Sequence, residues 1–418
     1  MASAAGWRQV AGSVARLLGG VGAAALATYV YLIVVARAVG PAEYAAFSAF
    51  WAVVVILGTG VYLPVEQETA RRGVDPSGVQ VPRPLRRSAL IAAGIVTAGV
   101  AVLLLLLWPA VSGFFGGDPL LAAALAVGCA GYAAQYPVRG LLSARRRYGR
   151  YAAVLGSEAA LRVLVVVGLV VVADPGPATL ALVVGVAALG SALVGLARTR
   201  DVVDVAGPMA LLRSATVLIV GAVALQTLLY GGVVVARILA PGSDDATAGQ
   251  LLAAITVTRI PVFLFQSMEA LVVPRIAELA ARGDRTGLLV LVRRLLALVG
   301  SLAVLTAAGA AVAGPQVVSL MFGSDFVVTH GTMALLGLGT GVFMLAVAAS
   351  DVTVALGGHR QVAIGWTVGL LAAIASIALL QDFVLQVTVP LVVGSAAAAA
   401  LLAWSARSRM ASTLPVGA

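Results

Sequence analysis

The stretch Val34-Val35-Ala36-Arg37-Ala38-Val39-Gly40-Pro41 returns later in the chain as Val234-Val235-Ala236-Arg237-Ile238-Leu239-Ala240-Pro241, at an offset of 200 residues. Further matches follow in the same order. Pro64, Glu68, Ala70, Arg72 and Gly73 answer to Pro274, Glu278, Ala280, Arg282 and Gly283, at an offset of 210. Arg86-Arg87 answers to Arg293-Arg294, and Phe115-Gly116 with Asp118 answers to Phe322-Gly323 with Asp325, both at 207. Coincidences of valine and alanine carry little weight in a chain rich in both, but aligned arginines, prolines and glycines do. Self-similarity on this scale reads as a duplicated unit, and internal repeats are a common plan of membrane transport folds.

Composition sets the class. Of the residues, 61% are apolar and 11% charged, with a mean hydropathy of +1.07. A water-soluble core of this size needs far more surface charge. Crossing a bilayer takes about 20 apolar residues. Twelve such runs fill the chain, at residues 14–36, 44–65, 88–109, 119–138, 152–173, 178–197, 214–236, 251–273, 295–313, 332–355, 362–380 and 386–404. The expected fold is an all-α polytopic membrane protein with about 12 transmembrane helices. The repeat divides it into two pseudo-symmetric six-helix bundles, residues 1–205 and 206–418, around a central cavity. Six is an even number, so both halves enter from the same side and are related by an axis along the membrane normal.

Arginine sets the orientation. All 27 basic residues are arginine. With the N-terminus inside, 23 of them fall at the cytoplasmic ends of helices or in the connecting loops, and two, Arg37 and Arg237, fall outside. That bias is the positive-inside rule and puts both termini in the cytoplasm. It accounts for the net charge of +10 with no need for nucleic acid, and a basic inner face suits anionic membrane lipids. The N-terminus lacks a small-residue cleavage site behind a short apolar core, so helix 1 reads as an uncleaved anchor. Cys129 is the single cysteine, so no intramolecular disulfide forms. His330 and His359 lie on opposite sides of the membrane, which argues against a histidine metal site. No phosphate-binding glycine loop, nucleophile elbow or zinc-protease helix is present. Neither a cofactor nor a metal is expected.

The segment Ala36-Arg37-Ala38-Val39-Gly40-Pro41-Ala42-Glu43-Tyr44 resembles a signature on the outer loop between helices 1 and 2 of the polysaccharide flippases. These belong to the multidrug/oligosaccharidyl-lipid/polysaccharide exporter superfamily. Leu320-Met321-Phe322-Gly323-Ser324-Asp325-Phe326 resembles that family's outer segment after helix 9. Ala45 stands where the family often has glycine, and the second copy of the signature degenerates to Ala240-Pro241-Gly242-Ser243. The resemblance implies export of lipid-linked sugars across the bacterial plasma membrane, with helices 1, 2, 7 and 8 lining the cavity.

Five ionisable residues lie well inside the expected helices: Glu158, Arg162, Arg259, Glu269 and Asp351. An intramembrane charge costs about 2.5–3.5 kcal/mol even on the lenient insertion scale, so each should face protein or water. Glu158 and Arg162, four apart, share one helix face. They are a self-neutralising structural pair, or else Arg162 binds an anionic substrate group while Glu158 tunes it or carries a proton. Arg259 precedes Pro261, which kinks a helix. Gln266 and Glu269 follow near the same stripe, as a cavity wall requires. Guanidinium suits a diphosphate through bidentate hydrogen bonds, so Arg259, Arg162, Arg16 and Gln266 are the candidate substrate-binding residues. Each also has a plainer role, Arg259 in an interhelical ion pair and Arg16 as a snorkelling anchor. Glu158, Glu269 and Asp351 are the candidate ion-coupling carboxylates, although Asp351, near a helix end, is equally readable as hydrated. Arg37 and Arg237 either cap helix C-termini or belong to an outer gate with Glu43, Asp244 or Asp245. Gly337 and Gly341 show the four-residue spacing of close helix packing.

The leading expectation is therefore a flippase for a lipid-linked oligosaccharide or related cell-envelope precursor, working by alternating access and breaking no bond. Its substrate would be a polyprenyl-diphosphate-linked sugar, and its neighbours glycosyltransferases and a polymerase. The alternative is a multidrug or organic-cation antiporter of the same superfamily. Such a protein gains from uncompensated carboxylates in the first bundle, and here the deep acid Glu158 has Arg162 beside it. A membrane enzyme acting on polyprenyl-phosphate sugars is a third class. It needs a carboxylate base, often on a sizeable outer loop, whereas the outer acids Asp118, Asp174 and Asp382 occur singly.

Overall fold

The computed structural model describes residues 4–73, 85–145, 147–196, 207–239 and 245–413, without the side chains at 4–19, 21, 245, 264, 266–271 and 412–413. The regular secondary structure of the described residues is all helical, with no strand. Twelve long helices run in chain order: α1 (residues 4–39), α2 (41–72), α3 (Leu85–Leu106), α4 (Pro119–Ala144), α5 (Tyr148–Val172), α6 (Pro177–Leu196), α7 (Gly207–Leu239), α8 (245–281), α9 (Arg285–Phe322), α10 (His330–Ala355), α11 (His359–Ala378) and α12 (Phe383–Thr413). At about 1.5 Å per residue, even the 20-residue helices α6 and α11 span the roughly 30 Å of a hydrocarbon core. The protein is a multi-pass membrane protein.

One irregularity carries the count from 11 continuous apolar spans to twelve helices. The first span runs without interruption from Gly22 to Arg72, but Gly40 within it has φ +74° and ψ 173°, outside the helical region. Glycine adopts that conformation without steric penalty, and Pro41 then begins a new helix, a position where its missing N–H costs nothing. The echoed residues 240–244 lie outside the described residues. Farther along α2, Gly58–Tyr62 form a π-helical turn, an arrangement that inserts an extra residue and is frequent at functional sites. α8 breaks at Arg259, which caps the helix restarting at Ile260-Pro261.

The chain divides into two compact units, residues 1–219 and 220–418, with the boundary inside α7. In the first unit, α4 and α6 approach backbone to backbone. A methyl group on Gly131 would sit 2.7 Å from the Gly185 carbonyl oxygen. Val65, Leu85, Ala89, Leu141 and Leu211 form a buried cluster that gathers ends of α2, α3 and α4 with the first turns of α7. In the second unit, Gly337 and Gly341 of α10 lie against α9. A methyl group at Gly341 would meet the Ala303 carbonyl oxygen at 3.0 Å. α11 and α12 touch through Gly369 and Gly394, where a methyl group would come within 2.7 Å and 2.6 Å of the opposing carbonyl oxygen. Small residues that admit close backbone approach are the main packing device available between helices in lipid.

Candidate functional site

Glu158 and Arg162 lie on α5, which packs against α1 and α6. The i,i+4 spacing places both on one face, and they pair directly through Arg162 Nη2 and Glu158 Oε1, with side chains only 8% and 12% exposed. The second carboxylate oxygen, Oε2, accepts a hydrogen bond of 2.7 Å from Nε2 of Gln135 on α4. Gln135 is fully buried, and the same Nε2 also donates to Ser191 Oγ of α6 at 2.7 Å. Ser191 in turn donates to the Ala188 carbonyl. Arg162 Nη1 reaches Thr28 Oγ1 of α1 at 3.3 Å, and the guanidinium lies 5.7 Å from the Tyr31 ring centroid and 5.6 Å from that of Trp51. Tyr31 is held by a 2.7 Å hydrogen bond from its hydroxyl to the Leu180 carbonyl. Helices α1, α2, α4, α5 and α6 thus converge on one buried ion pair. Cation–π contacts and a carboxylate satisfied on both oxygens are what allow a charge pair to stay buried.

Two buried atoms of this network have no hydrogen-bond partner among the described residues: Nε of Arg162 and Oε1 of Gln135. Glu158 takes one Nη2 proton and Thr28 one from Nη1, so the donor on the Nε edge is unspent. An unsatisfied buried donor costs about 1–3 kcal/mol, which makes such an atom worth explaining.

A second cluster lies among α2, α4 and α5. Tyr151 donates to Glu66 Oε1 at 2.8 Å and accepts from Arg139 Nη2 at 2.9 Å. Arg139 Nε lies 3.0 Å from Glu66 Oε2, and its guanidinium lies over the Tyr136 ring at 4.4 Å. The sequence reading passed over Glu66 because it ended helix 2 at residue 65, whereas α2 runs on to Arg72. Two residues on, buried Glu68 bonds Arg71 and Arg72.

In the second unit, Arg259 is buried at the break in α8. It donates from Nη2 to the Leu229 carbonyl of α7 and lies 4.0 Å over the Tyr230 ring. The side chains of Gln266 and Glu269 on α8, and of Arg16 on α1, lie outside the described residues. Asp351 is half-buried one turn before the end of α10. Arg237 sits in the last turn of α7, and Arg37 is exposed just before the Gly40 break that ends α1. Both stand where cations meet the negative end of a helix dipole. Asp118 N-caps α4 by accepting from the Leu120 amide at 2.8 Å, an ordinary structural duty for an acid at that position.

The structure therefore joins Glu158 and Arg162, whereas Arg259 belongs to the other unit. Gln135, Ser191, Thr28, Tyr31 and Trp51 were missed by the sequence reading. Only Gln135, an amide in the middle of an apolar run, left a signal there.

No protein-family profile matches the chain. An uncharacterized protein of Mycobacterium tuberculosis is 27% identical over 371 residues, covering 87% of this chain and 84% of its own length. Among solved structures, an inward-facing multidrug resistance MATE family transporter of the MOP superfamily superimposes with a TM-score of 0.72 at 13% identity, covering 93% of this chain and 95% of its own. A eukaryotic MATE transporter gives 0.68 at 14% identity, over 96% and 98%. The chain has the fold of these transporters.

Proposed function

We propose that this chain is a membrane transporter that flips a lipid-linked oligosaccharide, or a related polyprenyl-diphosphate envelope precursor, across the bacterial plasma membrane by alternating access. The fold supports transport, and the arginine distribution supports cytoplasmic termini. The observation that carries the substrate class is Arg162, a buried, ring-flanked guanidinium with an unspent donor beside its ion pair. An oxygen of the polar head group accepts from that edge without displacing Glu158. In this reading the polar head group occupies the protein interior while the lipid tail stays in hydrocarbon, so the head group avoids about 30 Å of apolar medium. No covalent step is needed, so the protein is not an enzyme in this reading. Glycosyltransferases and a polymerase are the partners this role implies.

A multidrug antiporter fits the same fold, since the transporter that superimposes with a TM-score of 0.72 is a multidrug resistance protein. Charge separates the two readings. Among the described residues of the first unit, Glu66, Glu68 and Glu158 are each paired with arginine, which leaves an organic cation no buried carboxylate of its own. The test is reconstitution in proteoliposomes with two assays on one preparation. Protein-dependent flipping of a fluorescent polyprenyl-diphosphate oligosaccharide is expected. Proton-driven efflux of an organic cation with no flipping would transfer the assignment to the antiporter.

A further inference from the structure

We infer that the first unit contains a hydroxyl-binding subsite between Gln135 and Arg162, one that recognises a group able to donate and accept a hydrogen bond at once. The inference rests on the flippase reading only for the identity of the ligand. Its basis is a pair of orphans of opposite kind. Oε1 of Gln135 is an acceptor and Nε of Arg162 a donor, and neither has a partner among the described residues. Their side chains are buried, Gln135 completely. They also flank the same carboxylate, since Gln135 bonds Glu158 Oε2 and Arg162 bonds Oε1.

The Gln135 orientation is chemically fixed. Its Nε2 donates both to Glu158 Oε2, the oxygen that Arg162 leaves open, and to Ser191 Oγ. The Oε1 atom therefore cannot exchange places with it, and the acceptor remains open. A phosphate oxygen satisfies Arg162 Nε alone, and an ammonium group satisfies Gln135 Oε1 alone. A hydroxyl satisfies both, donating to Oε1 and accepting from Nε–H. The aromatic faces of Tyr31 and Trp51 beside Arg162 suit the apolar face of a sugar ring. The two sources of this chemistry are a sugar hydroxyl of the transported head group and a resident water, which typically makes about three hydrogen bonds to otherwise unsatisfied groups.

The experiment has two arms on the full chain in nanodiscs. The first measures binding of farnesyl diphosphate and of the same lipid diphosphate carrying N-acetylglucosamine, to wild type and to Gln135→Leu. A sugar subsite predicts about a tenfold loss of affinity for the sugar-bearing lipid in Gln135→Leu, with farnesyl diphosphate unchanged. The second is a high-resolution density map of wild type without ligand and with the sugar-bearing lipid. An oxygen within hydrogen-bond distance of both Gln135 Oε1 and Arg162 Nε, present without ligand and retained with it, assigns the subsite to water. That result stands even if neither lipid binds, which would count against the flippase reading alone. If the map shows no oxygen bridging the two atoms in either state and Gln135→Leu weakens both lipids equally or neither, the subsite is overturned.

Discussion

The fifth helices of the two units solve the same packing problem with opposite chemistry. α5 carries Glu158 and Arg162 four residues apart and spends its inward face on an ion pair tied to three other helices through Gln135, Ser191 and Thr28. α11 keeps the four-residue rhythm but fills it with Gly365, Gly369 and Ala373, all buried, and meets α12 at near-contact distance through Gly369 and Gly394. Helices at the same place in the order of their units thus bury different interiors. Buried charge is costly and seldom the best way to stabilise a core. Its presence in α5, where α11 buries glycine, is what the proposed substrate role of α5 would account for.

That contrast can be tested by breaking each side. The largest effect is expected from Glu158→Leu, which leaves Arg162 buried without its counter-charge. A loss of about 3–5 kcal/mol is expected, read by thermal unfolding in detergent. The double variant Glu158→Leu/Arg162→Leu should recover most of it, and a double variant no better than the single would show that the pair is not a unit. On the other side, Gly369→Ala places a methyl group 2.7 Å from the Gly394 carbonyl oxygen and should cost about 1–3 kcal/mol through overpacking. The same assay reads it, and a neutral result would mean that α11 and α12 are looser than the contrast requires. Tyr151→Phe removes the hydroxyl joining Glu66 to Arg139, with an expected cost of about 1–2 kcal/mol.

The smallest effect concerns the echoed pair Glu68–Arg72 and Glu278–Arg282. Both copies form i,i+4 ion pairs, but the Glu68 side chain is 3% exposed and that of Glu278 is 40% exposed. Hydrogen bonds from Arg275, with the charge of Arg282, hold the Glu278 carboxyl below the usual carboxylate range. A group with a depressed folded value contributes stability above its unfolded value, and that contribution fades as pH falls through the folded one. The difference between wild type and Glu278→Gln should therefore be slight at neutral pH and vanish on acidification. Glu68→Gln should be clearly more damaging than Glu278→Gln at neutral pH, as urea titrations of the two variants would show.

Much of this was legible in the sequence because it is local. Apolar run length gave the helices, Gly40-Pro41 the first break, Arg259 with Pro261 the break in α8, and the i,i+4 rule the Glu158–Arg162 pair. The π-turn at 58–62 left no mark in composition, and the end of α2 was placed seven residues short because Glu66, Glu68, Arg71 and Arg72 read as loop. Charges buried by partners on other helices look like surface until those partners are known. The site suffered most from this. Thr28, Tyr31, Trp51, Gln135 and Ser191 come from four helices, α1, α2, α4 and α6, and their convergence on α5 is a property of packing that no single helical periodicity encodes.

The central claim, that the charged interior of α5 handles the substrate, is met most directly by a charge-neutral exchange. Glu158→Gln/Arg162→Gln removes both charges together and so avoids stranding either. Flipping of a fluorescent polyprenyl-diphosphate oligosaccharide should fall about 10- to 100-fold in this variant, with thermal stability close to wild type. A folded double variant that flips at the wild-type rate would contradict the account and make the pair a purely structural tie.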